Sequence, residues 1–432
     1  MKLFGTMKVD NNGILEIGGC SVLDLKREFG TPLYVIDENL VRNTCRVFKN
    51  NFSLDGLNTE VIYASKAFLN IAMCKLINEE GLSIDVVSGG ELYTALKANF
   101  PPARMYMHGN NKTVQELTLA VESGVGRIIV DNNHEIDLLE DICRSLNKTM
   151  TVLLRINPGI EAHTHEYIQT TKHDSKFGES IYSDEILNIV NRLSNSNYLD
   201  FKGFHCHIGS QIFEEESFFL GASAMIEFAA KIKDECNFTV EELNLGGGFG
   251  VYYSNEDKPM NLEKFLKELA ILVKSKSKDL GLESPKFMIE PGRSIISNAG
   301  TTLYEVGSTK STYGGKNYIF IDGGMTDNPR PALYSAKYEG AIANKMNKEN
   351  EVNYTIAGKC CESGDMIIKD IKLPKTESGD IVAVFSTGAY NYSMASNYNR
   401  LPKPPVLFVK DGKARIVVKR ETYEDIIRND VF

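Results

Sequence analysis

The sequence predicts an α/β protein: a (β/α)8 barrel of the TIM type, followed by a β-sheet-rich C-terminal domain that also takes in the N-terminal segment. Eight short apolar runs, each ending in glycine or polar residues, alternate with helical stretches between about Leu57 and Gly292, and eight is the strand count of such a barrel. After about Ser297 the pattern changes to short β-branched runs broken by glycine and proline, the signature of an all-β region. The 432 residues are enough for two domains with a large buried core.

In order, the eight runs are "VIYASK" (Val61–Lys66), "SIDVVSGG" (Ser83–Gly90), "RMYMHGN" (Arg104–Asn110), "RIIVDNN" (Arg127–Asn133), "TVLLRINPG" (Thr151–Gly159), "GFHCHIGS" (Gly203–Ser210), "ELNLGGGFG" (Glu242–Gly250) and "FMIEPGR" (Phe287–Arg293). Amphipathic segments such as "AFLNIAMCKLINEEG" and "GGELYTALKANF" are long enough to be crossover helices between parallel strands. A doubly wound open sheet is the competing topology; the barrel is preferred because the count closes with no strand left over. The barrel is expected over 37–296 and the β-rich domain over 1–36 and 297–432. Its strands include "NNGILEIGGC", "TPLYVID", "NYIFID", "VNYTIAG", "DIVAVFS" and "VLFVKDG".

Composition narrows the function classes. Net charge is −9 with 24% charged residues and no long basic block, which argues against a nucleic-acid or anionic-membrane role and for a small-molecule partner. No apolar run approaches the about 18 residues of a membrane span. The eight cysteines form no CxxC pair, and no signal-peptide core follows "MKLFGTMKVDNNG". The expectation is a soluble, cytoplasmic protein with reduced thiols.

Barrel enzymes gather their chemistry at the C-terminal ends of the strands. Here those ends carry Lys66, Ser88, His108, Asp131, Arg155, His207, Gly246 to Gly248, and Glu290. Lys66 at a barrel mouth is expected to be partly desolvated, which disfavours the ammonium and makes a better amine nucleophile; a surface lysine opening a helix reads from the same residues. "LGGGFG" lets backbone N–H groups approach a phosphate, or serves plain steric needs; it does not meet the dinucleotide pattern in a βαβ frame. In "EPGRS", Arg293 suits a phosphate or carboxylate and Glu290 a protonated ring nitrogen, against a surface ion pair. His205 and His207 lie two apart on one strand and invite His163 and His165 as metal partners, but no carboxylate stands at a familiar spacing. Structural, stacking and acid–base roles stay open for them.

An amine nucleophile, a glycine cradle, a carboxylate for a ring nitrogen and an arginine for a phosphate together describe pyridoxal 5'-phosphate. At this point the chain resembles the fold-type III pyridoxal-phosphate-dependent decarboxylases, and within them the diaminopimelate-acting branch. The likeness runs through "YASKA", "DVVSGGEL", "HGNNKT", "RINPGIEAHTHEYIQT", "DSKFG", "HCHIGSQ", "NLGGGFG", "EPGRS", "DNPRPALY", "CESGD" and "GAYNYSMASNYN". It departs at "GKCCES", where Lys359 and Cys360 replace a more usual proline-containing stretch, and at Phe68, a bulkier residue than some relatives use.

The resemblance implies a carboxy-lyase that converts meso-2,6-diaminopimelate to L-lysine and carbon dioxide, the last step of lysine biosynthesis. It implies that Lys66 carries the cofactor, that His207 stacks on its ring and that Glu290 pairs with the pyridine nitrogen. Ser210, Gly247, Gly248, Arg293 and Tyr390 would surround the phosphate. Arg293, Arg330, Tyr334, Glu362 and Tyr390 would contact substrate, and Cys361 or Lys66 would return a proton to the α-carbon. It also implies a homodimer with shared active sites, in which Cys361 and Glu362 act in trans. Glutamate after the cysteine, rather than the aspartate of ornithine-type relatives, favours diaminopimelate. Carboxynorspermidine, ornithine or arginine decarboxylation, racemisation, and a non-catalytic regulatory homologue are the alternatives. No metal is expected.

Overall fold

The computed structural model describes residues 1–160, 175–283 and 285–431. His163, His165 and Asp174, with most of "RINPGIEAHTHEYIQT" and the start of "DSKFG", lie outside the described residues. The chain forms two compact units, 44–250 with 259–292, and 1–43 with 251–258 and 293–432.

The first unit is the barrel. Its eight strands are Thr59–Ala64, Ser83–Val86, Met105–Met107, Arg127–Val130, Met150–Asn157, Leu199–His205, Glu242–Asn244 and Lys286–Ile289. All pair in parallel, and Lys286–Ile289 pairs back onto Thr59–Ala64, so the sheet closes. Parallel strands covered by helices on the outside and filled on the inside have no solvated face, which is why they read as continuous apolar runs rather than alternating ones. Ile62, Tyr106, Ile129, Leu153 and Met288 pack inside the barrel, each no more than 2% exposed. Burying such a side chain contributes about 1.5–3 kcal/mol.

Helix starts are set by capping residues placed just beyond strand ends. Asn70 caps Ile71–Glu79, Ser88 caps Gly89–Lys97 and Asn132 caps Asn133–Leu146, each accepting from a first-turn amide. Thr113 and Glu116 close a full capping box on Val114–Ser123. The N-terminal end of the barrel is sealed by Glu60, which binds Tyr106 Oη at 2.8 Å and pairs with Lys286, and by a two-pronged Arg127–Glu242 pair. A two-residue strand, Glu179–Ser180, adds to Met150–Asn157 at Ile156 and Asn157.

In the second unit the long strand Gly300–Ser311 is the spine. It pairs antiparallel with Leu33–Asp37, Asn317–Ile321 and Ile381–Phe385. Val406–Lys410 runs parallel to Leu33–Asp37 on its other edge. The N-terminal strands Lys8–Val9, Leu15–Ile17 and Cys20–Ser21 form a small sheet whose Leu15 and Ile17 join Leu303, Phe385 and Leu407 in one core cluster. The β-rich region therefore does take in the N-terminal segment.

The unit boundaries differ from the division read from the sequence in three places, the first being residues 37–43, which group with the β-rich unit. Residues 251–258 group with the β-rich unit because Val251 and Tyr253 pack in its core beside Tyr304, Val306 and Ile319. Arg293, in the last barrel motif, groups there too, its Nη1 donating to Tyr253 Oη at 2.7 Å.

Candidate active site

Within the barrel unit the strand ends converge on Glu290. This carboxylate is 7% exposed and accepts from Asn244 Nδ2 at 2.7 Å and from His205 Nε2 at 3.1 Å. His108 Nε2 stands 3.0 Å from Glu290 Oε1, the oxygen that Asn244 holds, but off hydrogen-bond direction, so Asn244 and His205 are the firmer holders. Burial raises the Glu290 carboxyl, but the His108 and His205 imidazoles beside it outweigh that and hold it well below the usual range. Burial lowers His205 to about 4 despite the nearby carboxylate. His205 is thus a neutral donor, consistent with its Nδ1 having no acceptor among the described residues.

These contacts were invisible along the sequence. His108, His205 and Asn244 come from the third, sixth and seventh strands, and only barrel closure brings them to the eighth. The sequence paired His205 with His207 on one face; the structure sends His205 to Glu290 and His207 to the glycine run, where its Nδ1 accepts from Gly247 N at 3.2 Å. His108, His205 and Glu290 place three ligand atoms within 4.8 Å, a metal-like set that differs from the histidine set raised by the sequence.

Lys66 sits in the short turn Ser65–Ala67 beyond the first strand, and its side chain is exposed rather than partly desolvated, because the strand already ends at Ala64. Asp85, which the sequence did not single out, is buried beside it and accepts from Ser65 N at 2.8 Å. Burial raises Asp85 to about 7, against the opposing charges of His108 and Lys66. Burial also holds His207 well below its ordinary value, helped by Lys66 and Arg155. Ser88 is a helix cap, while Glu91 accepts from Val87 N at 2.6 Å and Ser65 Oγ at 3.1 Å.

The glycine run meets its neighbours at backbone distance. A Cβ on Gly247 would lie 2.1 Å from Glu290 O, and one on Gly248, at φ +115, 2.4 Å from Gly209 O. The "HIGSQ" and "GGGFG" loops are zipped together by Ile212 N to Gly248 O and Gly250 N to Ile212 O, both 2.9 Å. Steric need explains these glycines, and the same bare backbone leaves a small-residue lip on which Ser210 is half-buried.

The β-rich unit holds the remaining candidates. Arg330 is 9% exposed, donates to Tyr338 Oη at 2.8 Å and lies with its guanidinium carbon 4.7 Å from the Tyr253 ring centre. Arg293 lies 4.7 Å from the Tyr390 ring centre. Burial raises the Tyr253 phenol, but the guanidiniums of Arg293 and Arg330 outweigh it and pull it below its ordinary value. Tyr390 is half-buried at φ +61, and Tyr334 is 38% exposed on helix Arg330–Tyr334. Cys361 and Glu362 are both exposed on the turn after strand Val352–Ala357, and Glu362 Oε1 accepts from Gly364 N at 3.1 Å. Tyr253 and Tyr338 were missed, since tyrosines in "VYYSN" and "AKYEG" carry no motif signal.

An anionic carboxylate fixed at a barrel mouth, a neutral imidazole and an amine nearby suit a pyridine ring cofactor. Residues 38–297 match the family model described as the pyridoxal binding domain of pyridoxal-dependent decarboxylases. Diaminopimelate decarboxylase of Bacillus subtilis is 50% identical over 431 residues, covering 100% of this chain and 98% of that protein. That of Staphylococcus aureus is 48% identical, covering 98% and 99%. The crystal structure of the M. jannaschii diaminopimelate decarboxylase in complex with L-lysine superposes with TM-score 0.91 at 33% identity, covering 99% of this chain and 98% of that one. The class is therefore that of the pyridoxal-dependent decarboxylases. Within it, the chain belongs to the diaminopimelate decarboxylase family.

Proposed function

We propose that this protein decarboxylates meso-2,6-diaminopimelate to L-lysine and carbon dioxide with pyridoxal 5'-phosphate, the last step of lysine biosynthesis. The observation that carries the reading is the buried Glu290 carboxylate at the barrel mouth, held ionised by the His108 and His205 imidazoles and hydrogen-bonded by His205 and Asn244. The full-length likeness to named diaminopimelate decarboxylases supports the substrate.

When bound, the cofactor supplies an electron sink for the charge left on the α-carbon as carbon dioxide departs. Glu290 keeps the pyridine nitrogen protonated, and a glutamine there would not. The neutral His207 imidazole offers a face for the ring without adding charge. The Lys66 amine is the covalent anchor, with Asp85 beside it as a proton-accepting neighbour. Ser210, Gly247, Gly248, Arg293 and Tyr390 bind the phosphate region.

Every α-amino acid presents the same reacting groups, so selectivity rests on the distal end. Diaminopimelate carries a second carboxylate and ammonium there. Arg330 and Tyr334 suit the carboxylate and Glu362 the ammonium, while Arg293 and Tyr390 serve the substrate as well. Cys361, or Lys66, returns the proton to the α-carbon. We further propose a homodimer in which Cys361 and Glu362 complete the site of a second copy. A cytoplasmic location is supported by the eight cysteines, none of which is in a disulfide.

Carbon dioxide release from a panel of meso-diaminopimelate, ornithine, arginine, lysine and carboxynorspermidine tests this reading. Release from diaminopimelate alone is expected; preferred release from ornithine or carboxynorspermidine, or racemisation without release, would overturn it.

A further inference from the structure

The "GKCCESGDM" turn contains a carboxylate that no step above uses. Asp365 is 2% exposed. Its Oδ1 accepts from Met325 N at 2.7 Å and its Oδ2 from Cys360 N at 2.9 Å. These amides belong to two different turns. Met325 lies in the turn leading into helix Arg330–Tyr334, and Cys360 directly precedes Cys361 and Glu362.

The space around this carboxylate is cut by glycines. A Cβ on Gly324 would lie 2.4 Å from Asp365 Oδ2, and one on Gly358 2.2 Å from it. The two turns also join directly, Lys359 N donating to Gly323 O at 2.9 Å, and Asp365 closes its own turn through Gly358 N to Asp365 O at 3.0 Å and Asp365 N to Glu362 O at 3.1 Å. On the far side Cys361 N donates to Asn399 Oδ1 at 2.7 Å. Cys361 thus sits between a buried brace at Cys360 and an exposed one at Asn399.

We propose that Asp365 is a positioning residue for substrate recognition: its carboxylate pins the Cys360–Glu362 turn to the turn before Arg330 and so fixes the pose in which Cys361 and Glu362 are presented to the site of a second copy. This rests on the reading of Cys361 and Glu362 as substrate-facing. Only a carboxylate meets the demand. An asparagine would turn its NH2 toward one of the two amides and leave that buried donor unpaired. A glutamate is a methylene too long for a space bounded by glycine backbone.

The test compares holoenzymes of wild type, Asp365→Asn and Asn399→Gly. Asn399 is exposed at φ +52, a conformation glycine adopts freely, so the second variant removes a brace without disturbing the buried carboxylate. Three quantities are read: bound cofactor by visible absorbance, the alkylation rate of Cys361 with iodoacetamide by peptide mass spectrometry, and kcat and KM for meso-diaminopimelate. The expected result is unchanged cofactor content, a Cys361 alkylation rate altered roughly tenfold and kcat/KM lowered roughly tenfold in Asp365→Asn, with smaller changes of the same sign in Asn399→Gly. Wild-type alkylation in both variants would overturn the brace itself. Altered alkylation with wild-type kcat and KM would overturn the proposal through the underlying reading of Cys361 and Glu362. Should Asp365→Asn fail to fold, Asp365→Ser, smaller and able to accept from one of the two amides, decides by the same readouts.

Discussion

His205 Nε2 lies 3.1 Å from Glu290 Oε2, joining the sixth barrel strand to the eighth, and both side chains are buried. A neutral imidazole donating to an ionised carboxylate fixes where the negative charge points without cancelling it. Asn244 does the same for the other oxygen at 2.7 Å. The charge is in place before any cofactor or substrate arrives.

Glu290→Gln removes that charge while keeping the shape. We expect kcat to fall on the order of 10²-fold or more, the scale of losing a preorganised electrostatic contact, with KM changed far less. His205→Gln keeps a donor and should cost less. Steady-state kinetics of the two variants check the ranking; equal losses would place His205 in the chemistry itself.

The same pair makes a prediction about stability. Burial lowers His205 from 6.5 to about 4, so the unfolded chain binds the extra proton in that window, and the folded state loses stability as pH falls through it. Asp85 acts in the opposite sense: burial raises it from 3.8 to about 7, so the folded chain holds the extra proton and loses stability as pH rises through that range. Relative to wild type, His205→Gln should gain stability as pH falls from 6.5 to 4, and Asp85→Asn should lose it. Each slope should be on the order of 1 kcal/mol per pH unit. Urea unfolding at several pH values measures both; parallel curves for all three proteins would contradict the assignment.

Arg330→Ala should raise KM for meso-diaminopimelate about 10- to 100-fold, the loss of a charged hydrogen-bond partner. It should also erase discrimination against amines lacking the distal carboxylate. Tyr338→Phe removes the oxygen that accepts from Arg330 Nη1 at 2.8 Å and from Asn391 Nδ2 at 3.1 Å, and should give a smaller rise with unchanged kcat. Unchanged selectivity in Arg330→Ala would sink the distal-carboxylate role.

Borohydride treatment of the holoenzyme should fix the mass of the cofactor on the peptide bearing Lys66. In Lys66→Ala that adduct should vanish along with turnover. Mixing Lys66→Ala with Cys361→Ala protein should restore part of the activity if subunits exchange and sites are shared; no recovery despite demonstrated exchange would contradict sharing.

The eight strands were legible because buried parallel strands leave uninterrupted apolar runs between glycine-rich ends, as at Arg127–Val130 and Lys286–Ile289. Glu290 was legible as a carboxylate at a strand end. Its holders were not, because strand register, rather than sequence spacing, decides that Asn244 and His205 meet it. Tyr253 was hidden for a related reason. It follows the glycine run of a barrel strand yet packs in the β-rich core with Tyr304 and Tyr338, a switch of unit that composition does not mark. The exposure of Lys66 was missed because the strand stops two residues before it.

The most direct measurement is product analysis of purified protein with pyridoxal 5'-phosphate and meso-diaminopimelate. Lysine and carbon dioxide formed in equal amounts, and neither formed by Lys66→Ala, is the predicted result. Diaminopimelate recovered unchanged, from protein shown to hold the cofactor, would contradict the account.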